Sequence, residues 1–167
     1  MVLTFSRDDI PLGLRNKRIL LVGEGAALRE LHAAFLRRNG FNYVFEADNG
    51  LLAAEIVKVQ PIDLIISDWQ MAKLTGIELL ATVRGNEHTA EIPFVMLTTR
   101  RDTSMVEKSL QKGATDYLIK PFKSAQLGMK VVMALACSDY MAPVQIDENL
   151  HIRISEEEEA LRKASGQ

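Results

Sequence analysis

Three polar residues stand directly after apolar runs of the kind that form buried strands. They are Asp68, Thr98 and Lys120, which follow the runs 62–67, 94–97 and 117–119. All strands of a parallel sheet point the same way, so residues that end successive strands collect at one edge, where such folds bind ligands. A carboxylate, a hydroxyl and an ammonium group gathered at that edge suit the handling of a phosphoryl group.

An aspartate at the end of a strand is, on its own, more typical of a residue that caps the following loop. Glu24 favours a functional interpretation of Asp68, because it follows the first predicted strand. In the strand order 2-1-3-4-5 the ends of strands one and three are neighbours, and the two carboxylates are predicted to face each other across roughly 5 Å. Like charges that close need a cation, and oxygen ligands of this type suit Mg²⁺.

Apolar runs alternate with amphipathic segments along most of the chain, as they do in repeated β-α units. This pattern predicts an α/β protein with a flavodoxin-like, doubly wound, five-stranded parallel sheet of strand order 2-1-3-4-5. The predicted strands are 18–22, 43–47, 62–67, 92–97 and 115–119. The first predicted helix has apolar residues at 28, 31, 35 and 36 and ends at Asn39 and Gly40, and the other helices are predicted at 49–59, 76–84, 103–112 and 124–140.

The β-α pattern divides the chain into three predicted parts. Residues 1–15 are an N-terminal extension, residues 16–140 form the α/β domain, and residues 141–167 form an acidic C-terminal tail with 6 acidic and 3 basic residues. Alternating apolar residues in the tail allow a hairpin or a single added strand, and Ser155 before four glutamates is typical of the start of a short helix. A partly disordered tail is an equally good interpretation.

Composition limits the classes of function. The formal net charge of −2 argues against a strongly basic nucleic-acid binder. No apolar run approaches the length of a membrane span and the N-terminus does not resemble a signal peptide, so we expect a cytoplasmic protein without membrane insertion. Cys137 is the only cysteine and lies in an apolar segment, which favours a buried, unreactive thiol.

Other constellations are weaker. Gly23 and Gly25 follow a strand and Glu46 ends the next, which imitates a dinucleotide-binding fingerprint, but Leu28 stands where the third glycine is required. The three histidines lack metal-ligand spacing and are interpreted as ordinary surface or core residues; they are His32, His88 and His151.

The chain resembles the response-regulator receiver family over about residues 16–138. The similarity is carried by Ile65-Ile66-Ser67-Asp68-Trp69-Gln70-Met71, Gly76-Ile77-Glu78-Leu79-Leu80, Ile92-Pro93 leading to Met96-Leu97-Thr98, and Gly113-Ala114-Thr115-Asp116-Tyr117-Leu118-Ile119-Lys120-Pro121-Phe122. The resemblance implies that Asp68 is the phosphoacceptor, that Thr98 follows the phosphoryl group, that Lys120 pairs with it and that Tyr117 is an aromatic switch.

The same resemblance implies a cofactor and partners. Mg²⁺ would be held by Glu24, Asp68 and the backbone carbonyl of Gln70, and the peptide bond between Lys120 and Pro121 would be cis. A histidine kinase or a phosphotransfer protein would supply the phosphoryl group. A downstream protein would bind the face formed by helix four, strand five and helix five, so that the protein binds and switches and is not an enzyme.

The chain departs from the family pattern at four positions near Asp68. Gly23 and Glu24 replace two adjacent acids, Gln70 stands where asparagine is common, and Ala72 replaces a usual proline. We expect weaker Mg²⁺ binding from the change at positions 23 and 24. From the changes at positions 70 and 72 we expect a different lifetime of the phosphoryl group and a different rigidity of the loop. The alternative is a degenerate receiver that acts as a protein-interaction module without being phosphorylated.

Overall fold

The structure is a computed structural model that describes residues 4–99 and 103–138, without the side chains of residues 103–105, 137 and 138. The predicted tail and the thiol of Cys137 lie outside the described residues. In the part of the chain that is described, no helix is both long and apolar enough to cross a membrane.

The architecture is a five-stranded parallel sheet with helices on both faces. Its strands are β1 (Arg18–Val22), β2 (Tyr43–Ala47), β3 (Leu64–Asp68), β4 (Phe94–Thr98) and β5 (Asp116–Ile119), in the order β2-β1-β3-β4-β5. The helices are α1 (Ala26–Arg38), α2 (Gly50–Val59), α3 (Gly76–Arg84), α4 (Thr103–Gln111) and α5 (Ser124–Ser138). The predicted fold class and strand order are confirmed.

Two strands begin two residues later than predicted, and residues just before each of them bond to groups outside the strand. The Asp63 carboxylate accepts a hydrogen bond from the backbone N–H of Arg18 at 2.7 Å, which fixes the entry to β3. The carbonyl of Ile92 accepts from the guanidinium of Arg84 at 2.6 Å, so it does not pair with a strand. Both strands also extend one residue further than predicted, to Asp68 and Thr98.

The sheet is buried on both faces by two apolar clusters. One face packs on α1 and α5 through residues such as Ile19, Ile66 and Val95, and the other packs on α2 and α3 through residues such as Leu20 and Ile65. All five of these side chains are fully buried. A sheet held from both sides gives a rigid edge on which functional side chains can be placed.

The buried stripe of α1 differs from the one that its apolar spacing predicts. Leu28 and Leu31 are 45% and 59% exposed, whereas His32, Ala33 and Leu36 face the core. Ala33 and Leu36 pack in the apolar cluster on this face of the sheet, and the ring of His32 stacks on Phe122, with ring centroids 4.9 Å apart. Of the four apolar residues that mark the predicted helix, Leu36 is thus buried and Phe35 packs against the same cluster.

The segment before β1 packs against the same face of the sheet as α1 and α5. It contains two short 3₁₀ helices, Arg7–Asp9 and Leu12–Leu14, and its side chains Ile10 and Leu14 belong to the apolar cluster on that face. The ring of Phe5 lies over Gly128 of α5, so closely that a β-carbon there would come within 2.6 Å of it. The predicted N-terminal extension thus contributes buried side chains to the domain.

Candidate functional site

Parallel pairing brings Asp68, Thr98 and Lys120 to the carboxyl edge of three neighbouring strands. Asp68 ends β3 and pairs with Leu97 of β4, while Thr98 ends β4 and pairs with Ile119 of β5. Lys120 follows β5 directly, and its backbone N–H donates to the carbonyl of Thr98 at 2.7 Å. The structure therefore gathers the three side chains that the sequence analysis selected.

Asp68 and Lys120 form a half-buried ion pair at the centre of this edge. The ammonium group of Lys120 donates a hydrogen bond to Oδ1 of Asp68, and about one fifth of each side chain is exposed. Thr98 is buried beside them. All three line a cleft of about 160 Å³, whose other lining residues are Trp69, Gln70, Leu97 and Thr99. A small tetrahedral anion could reach the carboxylate, the ammonium and the hydroxyl from this cleft.

Glu24 approaches the same edge from the loop after β1. Its Oε1 accepts a hydrogen bond from the backbone N–H of Ala72, in the loop that follows β3. The two carboxylates predicted to face each other thus each have a protein donor, Ala72 for Glu24 and Lys120 for Asp68.

The donor chemistry at this edge fits a hard divalent cation. Glu24, Asp68 and the backbone carbonyl of Gln70 are oxygen donors, and Mg²⁺ in proteins usually takes one or two carboxylates and keeps several waters. Among the residues that the structure describes, no three His, Cys, Asp or Glu side chains are grouped as a cluster that could hold a metal. A cation here would therefore depend on two acids and a carbonyl.

The loop between β3 and α3 is closed by local bonds. The backbone N–H of Gly76 donates to the carbonyl of Trp69 at 2.8 Å, and Thr75 caps α3 in a reciprocal arrangement with Glu78. Gly76 also packs directly on the carbonyl of Asp68, which a β-carbon would approach within 2.2 Å. Trp69 and Gln70 are thereby held beside the cleft.

Tyr117 lies on β5, half-buried among the residues that pack on α2 and α3. The ammonium group of Lys130 lies 5.7 Å from the centre of its ring and also pairs with Asp116 at 3.0 Å. Met96 of β4 is its partner in the sheet, two residues before Thr98. Tyr117 therefore pairs with β4 and lies beside Lys130 of α5. The peptide bond between Lys120 and Pro121 is cis, as the family resemblance implies.

Two further residues at the site were not selected from the sequence. His32 lines a second, smaller cavity next to Asp68 and Lys120, and burial lowers the pKa of its imidazole, with Lys120 lowering it further and Asp68 opposing the shift. Arg29 donates to the carbonyl of Gly23 and, at 3.3 Å, to the carboxylate of Glu46. Glu46, the acid of the imitation dinucleotide motif, is thus held by an arginine. A lone histidine and a helix arginine carry no spacing signal that would have identified them.

Curated proteins with similar sequences include chemotaxis regulators. The chain is 33% identical over 117 residues to the chemotaxis protein CheY-3 of Vibrio cholerae, covering 70% of this chain and 90% of that protein. It is 32% identical over 114 residues to the chemotaxis protein CheY of Pseudomonas aeruginosa, covering 68% of this chain and 92% of that protein.

Solved structures agree with this similarity. The chemotaxis response regulator CheY4 of Vibrio cholerae superposes with a TM-score of 0.68 at 28% identity, covering 72% of this chain and 99% of that chain. The receiver domain of the sensor histidine kinase PA1611 of Pseudomonas aeruginosa, solved with a magnesium ion coordinated in its active site cleft, superposes with a TM-score of 0.65 at 29% identity, covering 72% of this chain and 98% of that chain.

The family model of the response regulator receiver domain matches residues 19–132, which is the part of the chain that forms the sheet and most of its helices. With the parallel order β2-β1-β3-β4-β5 and the clustered Asp68, Thr98 and Lys120, this match leads to one conclusion: the chain belongs to the response regulator receiver family of two-component signalling.

Proposed function

We propose that this receiver is phosphorylated on Asp68 by a histidine kinase or a phosphotransfer protein and that the modification switches a protein-binding face. The observation that carries the proposal is the half-buried ion pair of Asp68 with Lys120, in a cleft that Thr98 also lines. A carboxylate nucleophile and a cation positioned for the transferred group are the two parts that phosphoryl transfer needs most.

In the proposed reaction an oxygen of the Asp68 carboxylate attacks the phosphorus of the donor. A new oxygen–phosphorus bond forms an acyl phosphate, the bond from phosphorus to the donor's leaving atom breaks, and the leaving group retains that electron pair. Lys120 would turn from the carboxylate to the phosphoryl oxygens and offset their charge. Mg²⁺, held by Glu24, Asp68 and the carbonyl of Gln70, would supply further charge stabilisation when bound.

The proposed switch involves Thr98 and Tyr117. The hydroxyl of Thr98 would bond a phosphoryl oxygen, because it lines the cleft beside Lys120. To make this bond the side chain of Thr98 would move toward the phosphoryl group. The space that it leaves would allow the ring of Tyr117, on the neighbouring strand, to turn inward. The face formed by α4, β5 and α5 would change shape in consequence, and a downstream partner would bind one of its two forms more tightly.

A phosphorylation-independent interaction module is the second candidate function. Gly23 favours it, because the family pattern has an acid there, and so does the backbone N–H of Ala72 that already binds Glu24. The intact set of Asp68, Thr98 and Lys120 favours phosphorylation.

Intact mass after incubation with a small acyl phosphate and Mg²⁺ distinguishes the two candidates. We expect one added phosphoryl group on the parent protein and none on Asp68→Asn, which keeps the shape of the side chain and lacks the nucleophilic carboxylate. Asp48→Asn is the matched control, because Asp48 is an exposed acid that follows β2 at the same sheet edge. No adduct on the parent across a wide range of Mg²⁺ concentration would favour the interaction module.

A further inference from the structure

The α-carbon of Gly23 lies directly against the carboxylate of Asp68. A β-carbon built on Gly23 would come within 2.5 Å of Oδ2 and 3.2 Å of Cγ of Asp68. β-carbons in proteins essentially never make a non-bonded contact as short as the first of these distances. A residue with a side chain at position 23 is therefore incompatible with the observed pose of Asp68.

The other oxygen of the same carboxylate is fixed by Lys120, whose ammonium group donates to Oδ1. The carboxylate of Asp68 is thus enclosed by a cation on one side and a bare α-carbon on the other. Because the group is planar and rigid, a displacement of Oδ2 away from position 23 also moves Oδ1 relative to Lys120.

The backbone of Gly23 has little freedom to move away from Asp68. Its N–H donates to the carbonyl of Ala47 at 3.0 Å, and its own carbonyl accepts a hydrogen bond from Arg29. Arg29 is itself held by Glu46, and only 15% of its side chain is exposed. A substitution at position 23 would therefore displace Asp68 more readily than the end of β1.

We infer that Gly23 is a positioning residue for the phosphoacceptor: the missing β-carbon leaves the space in which Asp68 turns toward Lys120 and forms the ion pair of the resting site. This inference rests on the proposed function, because it assigns the acceptor role to Asp68. It gives Gly23 a steric role that is separate from the loss of an acid at that position.

Gly23→Ala separates the two roles, because alanine adds a β-carbon and no charge. Gly25→Ala is the matched control, since a β-carbon on Gly25, in the same loop, would meet nothing within 4 Å. The readout is the rate at which an amine-acylating reagent labels Lys120 in metal-free protein, measured by peptide mass spectrometry. Lys130, which pairs with Asp116 at 3.0 Å away from the site, is the internal reference.

We expect Lys120 to be labelled about 2- to 5-fold faster in Gly23→Ala than in the parent, the factor that follows from losing a partly exposed ion pair. Lys130 in the same protein, and Lys120 in Gly25→Ala, should react at the parental rate. Equal labelling of Lys120 in the parent and in Gly23→Ala would overturn the inference.

A second measurement covers the case in which Gly23→Ala folds poorly. Asp68→Ala removes the oxygen that the new β-carbon would meet, so Gly23→Ala should lower the urea midpoint of unfolding with Asp68 present and much less in the Asp68→Ala background. The same loss in both backgrounds would refute the contact. Failure of the acyl phosphate to modify the parent protein would refute the proposed function instead, because neither labelling nor unfolding depends on phosphorylation.

Discussion

The imidazole of His32 stacks on the ring of Phe122, two residues after Lys120, with 4.9 Å between the ring centroids and an angle of 29° between their planes. This contact connects the core face of α1 to the loop that carries the site lysine. It also buries a titratable ring beside the ion pair of Asp68 and Lys120.

The first prediction concerns pH. Burial lowers the pKa of His32 below its ordinary value of 6.5 in the folded protein, so the unfolded chain binds the proton more readily. The stabilisation that neutral His32 provides is therefore complete above pH 6.5 and is lost as the pH falls toward and through the lowered value. We expect the free energy of unfolding, measured by urea denaturation, to fall more steeply below pH 6.5 in the parent than in His32→Phe.

The control for this pH dependence is His88→Gln, because 86% of the His88 side chain is exposed. This variant should follow the parental curve at every pH. Identical curves for the parent and His32→Phe would contradict the assignment of the pH dependence to His32.

The second prediction concerns Mg²⁺. Gly23→Asp adds a carboxylate next to Asp68, and its β-carbon would come within 2.5 Å of Oδ2 of Asp68. We expect tighter Mg²⁺ binding by about 10- to 100-fold, a typical effect of a residue that supports a metal's ligands and waters. Titration of the fluorescence of Trp69, which lines the cleft, measures the dissociation constant. Equal affinities in the two proteins would mean that Glu24 already supplies what the added acid would give.

The third prediction tests the segment before β1. Ile10 is 1% exposed and Leu12, on the same segment, is 76% exposed. Ile10→Ala should lower the free energy of unfolding by about 2 to 4 kcal/mol, as expected for a large side chain lost from a core. Leu12→Ala should change it by less than about 0.5 kcal/mol. Similar losses in both variants would show that the segment does not pack as described.

The fourth prediction concerns the C-terminal tail, whose predicted strand or hairpin and helix lie outside the described residues. Removal of residues 143–167 should leave a cooperative thermal transition, since residues before position 136 already form an apolar cluster on each face of the sheet. A broad or absent transition would show that apolar residues of the tail belong to the core.

The bounds of a strand or helix could be predicted from the sequence wherever the residues of that segment alone determine where it begins and ends. Strands β1 and β2 and helix α3 have their predicted bounds, because apolar periodicity and capping residues are local signals. Asp68, Thr98 and Lys120 were selected because parallel strands collect their ends at one edge. The predicted strand order and the polar residues at the strand ends were sufficient to select these three residues.

Features that depend on contacts between distant segments were not predictable in this way. The burial of His32 on α1 involves a stack on Phe122, which lies 90 positions later in the chain. The close approach of Gly23 to Asp68 depends on the direction of one aspartate side chain, which no local pattern encodes. From the sequence, glycine at position 23 could be interpreted only as the loss of an acid. The structure shows in addition that a β-carbon at this position would meet the carboxylate of Asp68.

The hydrogen bond from Ala72 to Glu24 makes two departures from the family pattern interdependent. A proline at position 72, as the family usually has, would carry no N–H to donate, and the shorter side chain of aspartate at position 24 would reach less far toward it. The contact between Ala72 and Glu24 thus ties the loop after β1 to the loop after β3. Restoring the family residue at only one of the two positions would leave the other without its partner.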